Sequence, residues 1–595
     1  MNGDKGRQSL TSYRFHTFLF LFLFLVSLPQ LVLAQQKVPE SARAGVVTES
    51  LESPEVSLQT QRNIPVIEIK LPKEELEFPE GAEVYISQIN IEGNTVIDTD
   101  VLKAKVTPFE ERTLKFGDLV AATDAITEVY VEEGYFLSKG FLPVQEIKDG
   151  VLTIQVVEGK VGSIEVSGNK YYKSDFIKKH VKATKNGVIH HGKLLKSLIL
   201  LNEFPQLNVR LVLARGDAPE TANLILIVQD RWAIAATWDY NNFGSRFVTR
   251  KRTGLQLAYN NFLIQGDQLN LRGVVGMPFS SLQFGQIEYA IPVNGYGTRI
   301  GGSVSTTDFR ATREFKQFSV EGEADIYNFN AKHPFLRNRT VSIDGQVDFD
   351  IKQIVNRQDP NILNKDYLRV LRESVTADWV DKWQGRNVAT GSFSTGLGIF
   401  NAIPQNYGNA SRPGSGGEFT KMNLNFSRVQ RLPWSSFLLA RTAWQVSWDQ
   451  LPSSEQISIG GANSVRGYPQ SSFLGDWGFT FNIELYIPPP LIKAWKVPYI
   501  NKRMDEIMQV VFFYDHGSAW LSKYLFDEEA PNHQTFQGLG PGMRFNLPYG
   551  VNVRMDWGFP IGGPSTNDVT DGEFYLQVSK SLTDELHWLE SLFRK

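Results

Sequence analysis

From Arg231 onward, polar and apolar positions alternate in runs of roughly ten residues, each bounded by Gly, Asn, Pro or Asp. In Thr253-Gly254-Leu255-Gln256-Leu257-Ala258-Tyr259 and in Asp267-Gln268-Leu269-Asn270-Leu271-Arg272-Gly273-Val274, successive side chains of an extended strand point to opposite faces, which gives one apolar and one polar face. The same texture returns at Val341 to Phe349, Phe419 to Phe426, Phe479 to Leu485, Val551 to Trp557 and Phe574 to Val578. Roughly sixteen such segments fit between residue 231 and the end, and an even number is what a closed antiparallel barrel requires. Closure matters because lipid offers no hydrogen-bond partners, so only a sheet without free edges can span it. Trp232, Trp238, Tyr240, Tyr259, Trp444, Trp448 and Trp557 stand near strand ends, where aromatic rings anchor a barrel at the membrane surface. A soluble sandwich or propeller would alternate too, but its strands would be shorter.

Before residue 231 the pattern is different. Ile89-Asn90-Ile91-Glu92-Gly93-Asn94 and Ile164-Glu165-Val166-Ser167-Gly168-Asn169 repeat one apolar-x-apolar-x-Gly-Asn pattern. The copies lie about 75 residues apart, a period that suits one small α/β unit each. Gly93 and Gly168, with Asn94 and Asn169, mark turns where a positive φ is tolerated. Helical spacing over Leu119 to Tyr130, with Gly134 at its end, and a closing strand Val151 to Val157 complete the first module. Helices Ser174 to His180 and Lys193 to Asn202 and a strand Asn223 to Val228 complete the second. Residues 83–160 and 161–230 are thus two tandem modules; alone, the repeat is weak evidence of function and is also compatible with a spacer.

Basic residues up to Arg14 precede the apolar run Phe18 to Leu28, and Ala34 follows, which predicts a cleaved signal peptide over residues 1–34. The run is shorter than the ~20 residues of a spanning helix, and Pro29 interrupts it. Residues 35–82 are rich in Gln, Glu, Ser and Pro, hold no convincing amphipathic helix, and are expected to form a flexible periplasmic linker. The net charge is −3, from 61 basic and 64 acidic residues, so no basic excess points to nucleic acid. The absence of cysteine removes disulfides, thiolate metal sites and cysteine nucleophiles together.

The most specific segment is Ile459-Gly460-Gly461-Ala462-Asn463-Ser464-Val465-Arg466-Gly467-Tyr468, followed by Gly475-Asp476-Trp477-Gly478 and Glu484. Val465-Arg466-Gly467-Tyr468 resembles the lumen-loop motif of the outer-membrane assembly and two-partner-secretion superfamily. Two modules before the barrel, the run Gly140-Phe141-Leu142-Pro143-Val144-Gln145-Glu146-Ile147 with Gly150-Val151-Leu152, and Asp239-Tyr240-Asn241-Asn242-Phe243-Gly244-Ser245-Arg246 are similar to its two-partner-secretion branch, the hemolysin-activator transporters. That resemblance covers residues from about 84 to the end. It implies a sixteen-stranded outer-membrane barrel over 231–595, preceded by two periplasmic polypeptide-transport-associated (POTRA) modules. It further implies a loop near 459–478 folded into the lumen, with Arg466 paired to Asp515 in Phe512-Phe513-Tyr514-Asp515-His516-Gly517. A guanidinium inside a narrow lumen is costly unless paired, and a two-pronged carboxylate contact can pin a long loop. Gly467 permits a tight bend beside it. Members often carry an N-terminal plug helix, of which residues 35–82 give no sign.

Asp515-His516 suggests half a hydrolytic triad, but no serine stands in a Gly-x-Ser-x-Gly elbow to complete it. His190-His191 lacks metal-ligand spacing and reads as a polar turn. The expectation is a non-enzymatic, single-chain pore in outer-membrane lipid. It would need no cofactor or metal, bind no nucleic acid, and export a secreted polypeptide, with or without activating it. A factor that inserts other barrels is the alternative; a passive porin would have no use for two modules. The chain continues past its last strand through Trp588 and Phe593, so a terminal assembly signal is expected near Phe574 to Leu582.

Overall fold

The computed structural model describes residues 39–52, 65, 67–70, 83–183, 187–358, 360–498, 500–522, 532–562 and 572–583. The expected signal peptide 1–34 and the C-terminal run through Trp588 and Phe593 lie outside these residues.

Among the described residues, sixteen antiparallel strands close into a barrel that begins with Ile234–Asn241 and ends with Glu573–Ser581. Each strand pairs with its neighbour in sequence, and the seam is sealed by Thr237 to Asn241 lying opposite Ser581 to Gln577. The alternation does what the sequence predicts. Leu255, Ile287 and Val304 face outward and are exposed, whereas Asp239, Asn241 and Arg252 of neighbouring positions are buried in the lumen. Trp238, Tyr259, Trp444, Trp448 and Trp557 are also exposed, as interfacial anchors should be. Three central strands, Val320–Arg337, Val341–Gln358 and Asn361–Val380, are longer than the alternation suggested, at 18, 18 and 20 residues. A rise of ~3.3 Å per residue makes the last of these roughly 65 Å long, well beyond a hydrocarbon core of about 30 Å. Past Phe349 the sequence turns polar while the ladder continues, because neighbouring strands still satisfy the backbone.

The two modules share one construction. In the first, Gln88–Glu92, Val151–Val157 and Lys139–Phe141 form a three-stranded sheet under helices Thr99–Val106 and Phe116–Glu132. Leu119, Ala122, Ile126, Val129 and Tyr130 fall on one stripe of the longer helix and bury against Ile89, Leu152 and Ile154. In the second, Lys160–Ser167, Leu207–Arg215 and Thr221–Asp230 pack under Ser174–His180 and His191–Asn202. The two Gly-Asn turns are built alike. Gly93 and Gly168 have φ of +90° and +86°, and a Cβ on either would lie 2.5 Å from a carbonyl oxygen, of Val156 or Val228. Asn94 Nδ2 donates to Ile97 O and Thr99 Oγ1, and Asn169 Nδ2 donates to Tyr172 O and Ser174 Oγ. Each turn is also held by a carboxylate at the far end of its module. Glu158 accepts from the backbone N–H groups of Thr95 and Val96 and from Tyr130 Oη, while Asp230 accepts from the N–H groups of Lys170, Tyr171 and Tyr172.

Two elements correct the expectation of a flexible linker over 35–82. Ala44–Glu52 is an α-helix, and Ile67–Lys70 is a strand paired in parallel with Leu207–Arg215. His190-His191 is no free polar turn either: His190 Nδ1 accepts from Lys193 N at 3.3 Å and caps the helix it begins, and both rings pack on Tyr135 and Phe136 of the first module. The second module docks on the barrel turns nearest the first strand. Lys173 N donates to Gln265 Oε1 at 2.8 Å, and Lys182 Nζ sits 3.8 Å from the ring centre of Tyr296. Arg337 bridges Glu203 of the module to Asp344 of the barrel wall.

Candidate functional site in the barrel lumen

Among the described residues, two elements occupy the lumen. The helix Ala44–Glu52 is buried there almost all round, with Ala44 and Thr48 fully covered and Val46, Val47 and Leu51 nearly so. It is fixed to the wall by polar contacts: Ala44 N donates to Asn356 Oδ1 at 2.9 Å, Thr48 Oγ1 to Thr307 Oγ1 at 2.9 Å, and Arg252 Nη1 to Ser50 Oγ at 3.1 Å. Arg43 reaches Ser453 of the second element. A Cβ on Gly45 would fall 2.4 Å from Ser454 Cβ, so helix and loop touch directly.

The second element is the loop between Phe437–Ser447 and Trp477–Ile487, which folds inward as a short hairpin of Ile457–Ile459 with Phe473–Gly475. Its base is tied by Asp476, which accepts from Arg412, Leu451 N and Ser522 N, and by Glu455, 2.7 Å from Lys352 Nζ and 2.8 Å from Lys421 Nζ.

At the tip, the structure brings Arg466 and Asp515 together. Arg466 Nε lies 2.7 Å from Asp515 Oδ2 and Nη2 lies 2.8 Å from Oδ1, a two-pronged contact, and Arg466 N also donates to Asp515 at 3.0 Å. The pair is not isolated. Glu484 Oε1 is 2.8 Å and Asp556 Oδ2 3.3 Å from the same guanidinium, whose centre lies 3.4 Å above the ring of Phe513. Arg441, Arg544 and Arg554 contact the two added carboxylates. Arg466 is 1% exposed, so a charge this deep in the lumen is tolerated because oxygens from three strands surround it.

Glycines make room for the tip. Gly467 has a φ of +98° and lies against Gly558 and Phe559. A Cβ on Gly517 would meet Val465 at 2.8 Å, one on Gly538 would meet Arg466 O at 1.9 Å, and one on Gly558 would meet Gly467 N at 2.6 Å. Val465 fills an apolar pocket of Ile459, Ala519 and Phe536, and the Tyr468 ring stacks on Phe536 at 4.4 Å. Tyr575 Oη accepts from Gly467 N and donates to Tyr468 O. Sequence reasoning singled out Val465, Arg466, Gly467, Tyr468, Asp515 and Gly517 and missed Glu484's and Asp556's shared contact, Gly538, Gly558 and Tyr575. Asp515 and His516 point to opposite faces of their strand, with His516 stacked on Phe479 on the outer side, so they cannot serve one reaction.

A closed barrel with an arginine-pinned loop and helix in its lumen, and two α/β modules at its periplasmic mouth, is the architecture of an outer-membrane transporter with POTRA modules. The model of the haemolysin secretion/activation proteins ShlB/FhaC/HecB matches residues 221–505, and that of the ShlB-type POTRA domain matches residues 84–159. The chain is thus similar to the haemolysin secretion/activation proteins over most of its barrel, and to their POTRA domain over its first module. Among its curated relatives, the heme/hemopexin transporter protein HuxB of Haemophilus influenzae strain 86-028NP is 23% identical over 86% of this chain and 88% of its own. The outer membrane transporter CdiB of Escherichia coli O6:K15:H31 is 25% identical over 68% of this chain and 69% of its own. Among solved structures, CdiB from Escherichia coli superposes with a TM-score of 0.71 at 20% identity, covering 86% of this chain and 93% of that one. BamA from Haemophilus ducreyi lacking POTRA domains 1–3 reaches 0.50 at 15% identity, covering 84% and 100%.

Proposed function

We propose that this protein exports an unfolded partner polypeptide across the outer membrane, through the lumen now filled by the helix Ala44–Glu52 and the Arg466 loop. The observation that carries this reading is the filling itself. A porin for small solutes needs an open channel, whereas here a helix and a loop, tied to the wall by hydrogen bonds and ion pairs, fill the lumen. The modules at the periplasmic mouth supply capture, by addition of a cargo strand to a module sheet. Residues 1–34 act as the signal peptide, and a single copy serves as the pore in lipid. No nucleotide motif is present, so folding of the emerging cargo outside biases the direction.

The test is a photo-crosslinking amino acid placed at Thr307, which faces the helix. Without cargo it is expected to capture residues 44–52; during export it should capture the cargo in transit. Export that proceeds while position 307 labels only the helix would contradict passage through the lumen. Insertion of other barrels is the second reading, favoured by the short seam at Thr237 to Asn241, five residue pairs long, where a client strand would enter.

A further inference from the structure

A polypeptide captured by strand addition needs a sheet edge with unmet backbone groups, and nearly every edge of the two larger module sheets is blocked by a side chain of its own module. At Gln88–Glu92, Ile89 N donates to Glu110 Oε1 at 2.7 Å. At Lys139–Phe141, Gly140 N donates to Thr127 Oγ1. Just beyond that short strand, the Gln145 amide exchanges both hydrogen bonds with Thr153, donating to its carbonyl at 2.7 Å and accepting from its N–H at 2.9 Å. In the second module, Lys160–Ser167 is broken by a register shift between Val161 and Ile164, and its start is bridged on the outer side by Val188. On Leu207–Arg215, the Asn202 amide exchanges both bonds with Val209, at 3.0 and 2.8 Å. These are the devices that keep edge strands from pairing with other chains.

One stretch is treated differently. Leu211 to Ala214 are covered by main chain from a distant part of the sequence, Ile67 to Lys70, in parallel register. The cover is short and lightly held. It spans four residue pairs of the less stable parallel type; its ion pair, Glu68 to Arg210, is long at 4.0 Å with both side chains nearly half exposed; and Ile67 is only partly buried against the module core.

We propose that the Leu211–Ala214 edge is the docking site for the exported polypeptide, and that Ile67–Lys70 is a stand-in which cargo displaces. This rests on the reading of the chain as a polypeptide exporter and names the surface that reads the cargo. The stand-in shows the chemistry that fits: an extended segment alternating β-branched and charged residues, as in Ile67-Glu68-Ile69-Lys70, running parallel to Leu207–Arg215 with a carboxylate toward Arg210. Asn202 limits where such a strand can begin, because it already holds the groups of Val209.

The chain has no cysteine, so Glu68→Cys with Val212→Cys, a register pair, introduces its only two thiols. Oxidised, the pair should lock the stand-in and reduce export to background, and dithiothreitol should restore it. Export by the oxidised form at the wild-type rate would overturn the inference while leaving the exporter reading intact; absence of export from wild type would overturn that reading itself. A direct measurement uses a fluorescent peptide of residues 62–74 and the full-length protein in detergent. Binding is expected to Ile67→Pro/Ile69→Pro protein and to be lost in the oxidised double-cysteine form. Equal binding to both would show that the peptide goes elsewhere.

Discussion

Arg466 shows how one side chain can hold a long loop. Replacing it by Ala leaves Asp515, Glu484 and Asp556 facing one another in a buried space, and breaking such a set by removing one partner typically costs about 3–5 kcal/mol. Arg441, Arg544 and Arg554 remain nearby, so the lower end of that range is expected. The Arg466→Ala barrel should still insert but lose its folded, heat-resistant band at lower temperature, with reduced export; wild-type melting and export would refute the role given to it. Gly538→Ala tests the same loop without touching charge, since its Cβ would collide with Arg466 O, and it should weaken export in the same direction. Glu158 sets a pH dependence in the first module. Burial would raise its pKa, but hydrogen bonds from Thr95, Val96 and Tyr130 outweigh this and hold it below the usual 4.5. The stability it contributes is therefore present above pH 4.5 and is lost as the pH falls through the lowered value, whereas Glu158→Gln should flatten that loss; hydrogen exchange of residues 94–97 against pH reads both. Arg466 and Asp515 were legible because each sits in a dense local motif. Glu484 and Asp556 were not, because nothing beside them marks an inward carboxylate. Their parity along the strand, shared with Asn482 and Arg554, is the signal that would have found them.

At the scale of elements, the Gly-Asn turns and the closing strands were readable because backbone geometry demands glycine there. Gly168→Ala should destabilise the second module by ~1–3 kcal/mol, the usual cost of a side chain in that conformation, measured as faster proteolysis within residues 161–230 of the full-length protein. The lumen helix escaped sequence reading for a physical reason. A helix covered almost all round, with much of the covering wall polar, shows no apolar stripe against a polar one, and Thr48 is as buried as Val46. Ile67–Lys70 escaped because four residues between prolines take their order from Leu211 to Ala214, not from themselves. Deleting residues 40–52 should raise the conductance of the barrel in planar bilayers several-fold; an unchanged conductance would mean that the loop alone closes the pore.

Over the whole molecule, alternation sufficed to give a barrel of sixteen strands, because a lipid-spanning sheet must alternate and must close. What alternation does not carry is relations between distant segments: the docking of Glu203 on Arg337, or the meeting of the N-terminal helix with the loop at Ser453. Those relations place two modules at one mouth of the barrel and a helix and a loop within it. The central claim is that a polypeptide leaves through it. The most direct measurement compares the proteins of the medium, periplasm and outer membrane in cells with and without this chain. The account predicts that one large polypeptide disappears from the medium and accumulates in the periplasm, with the other outer-membrane barrels unchanged. An unchanged medium with depleted barrels would contradict it and make this protein an insertion factor.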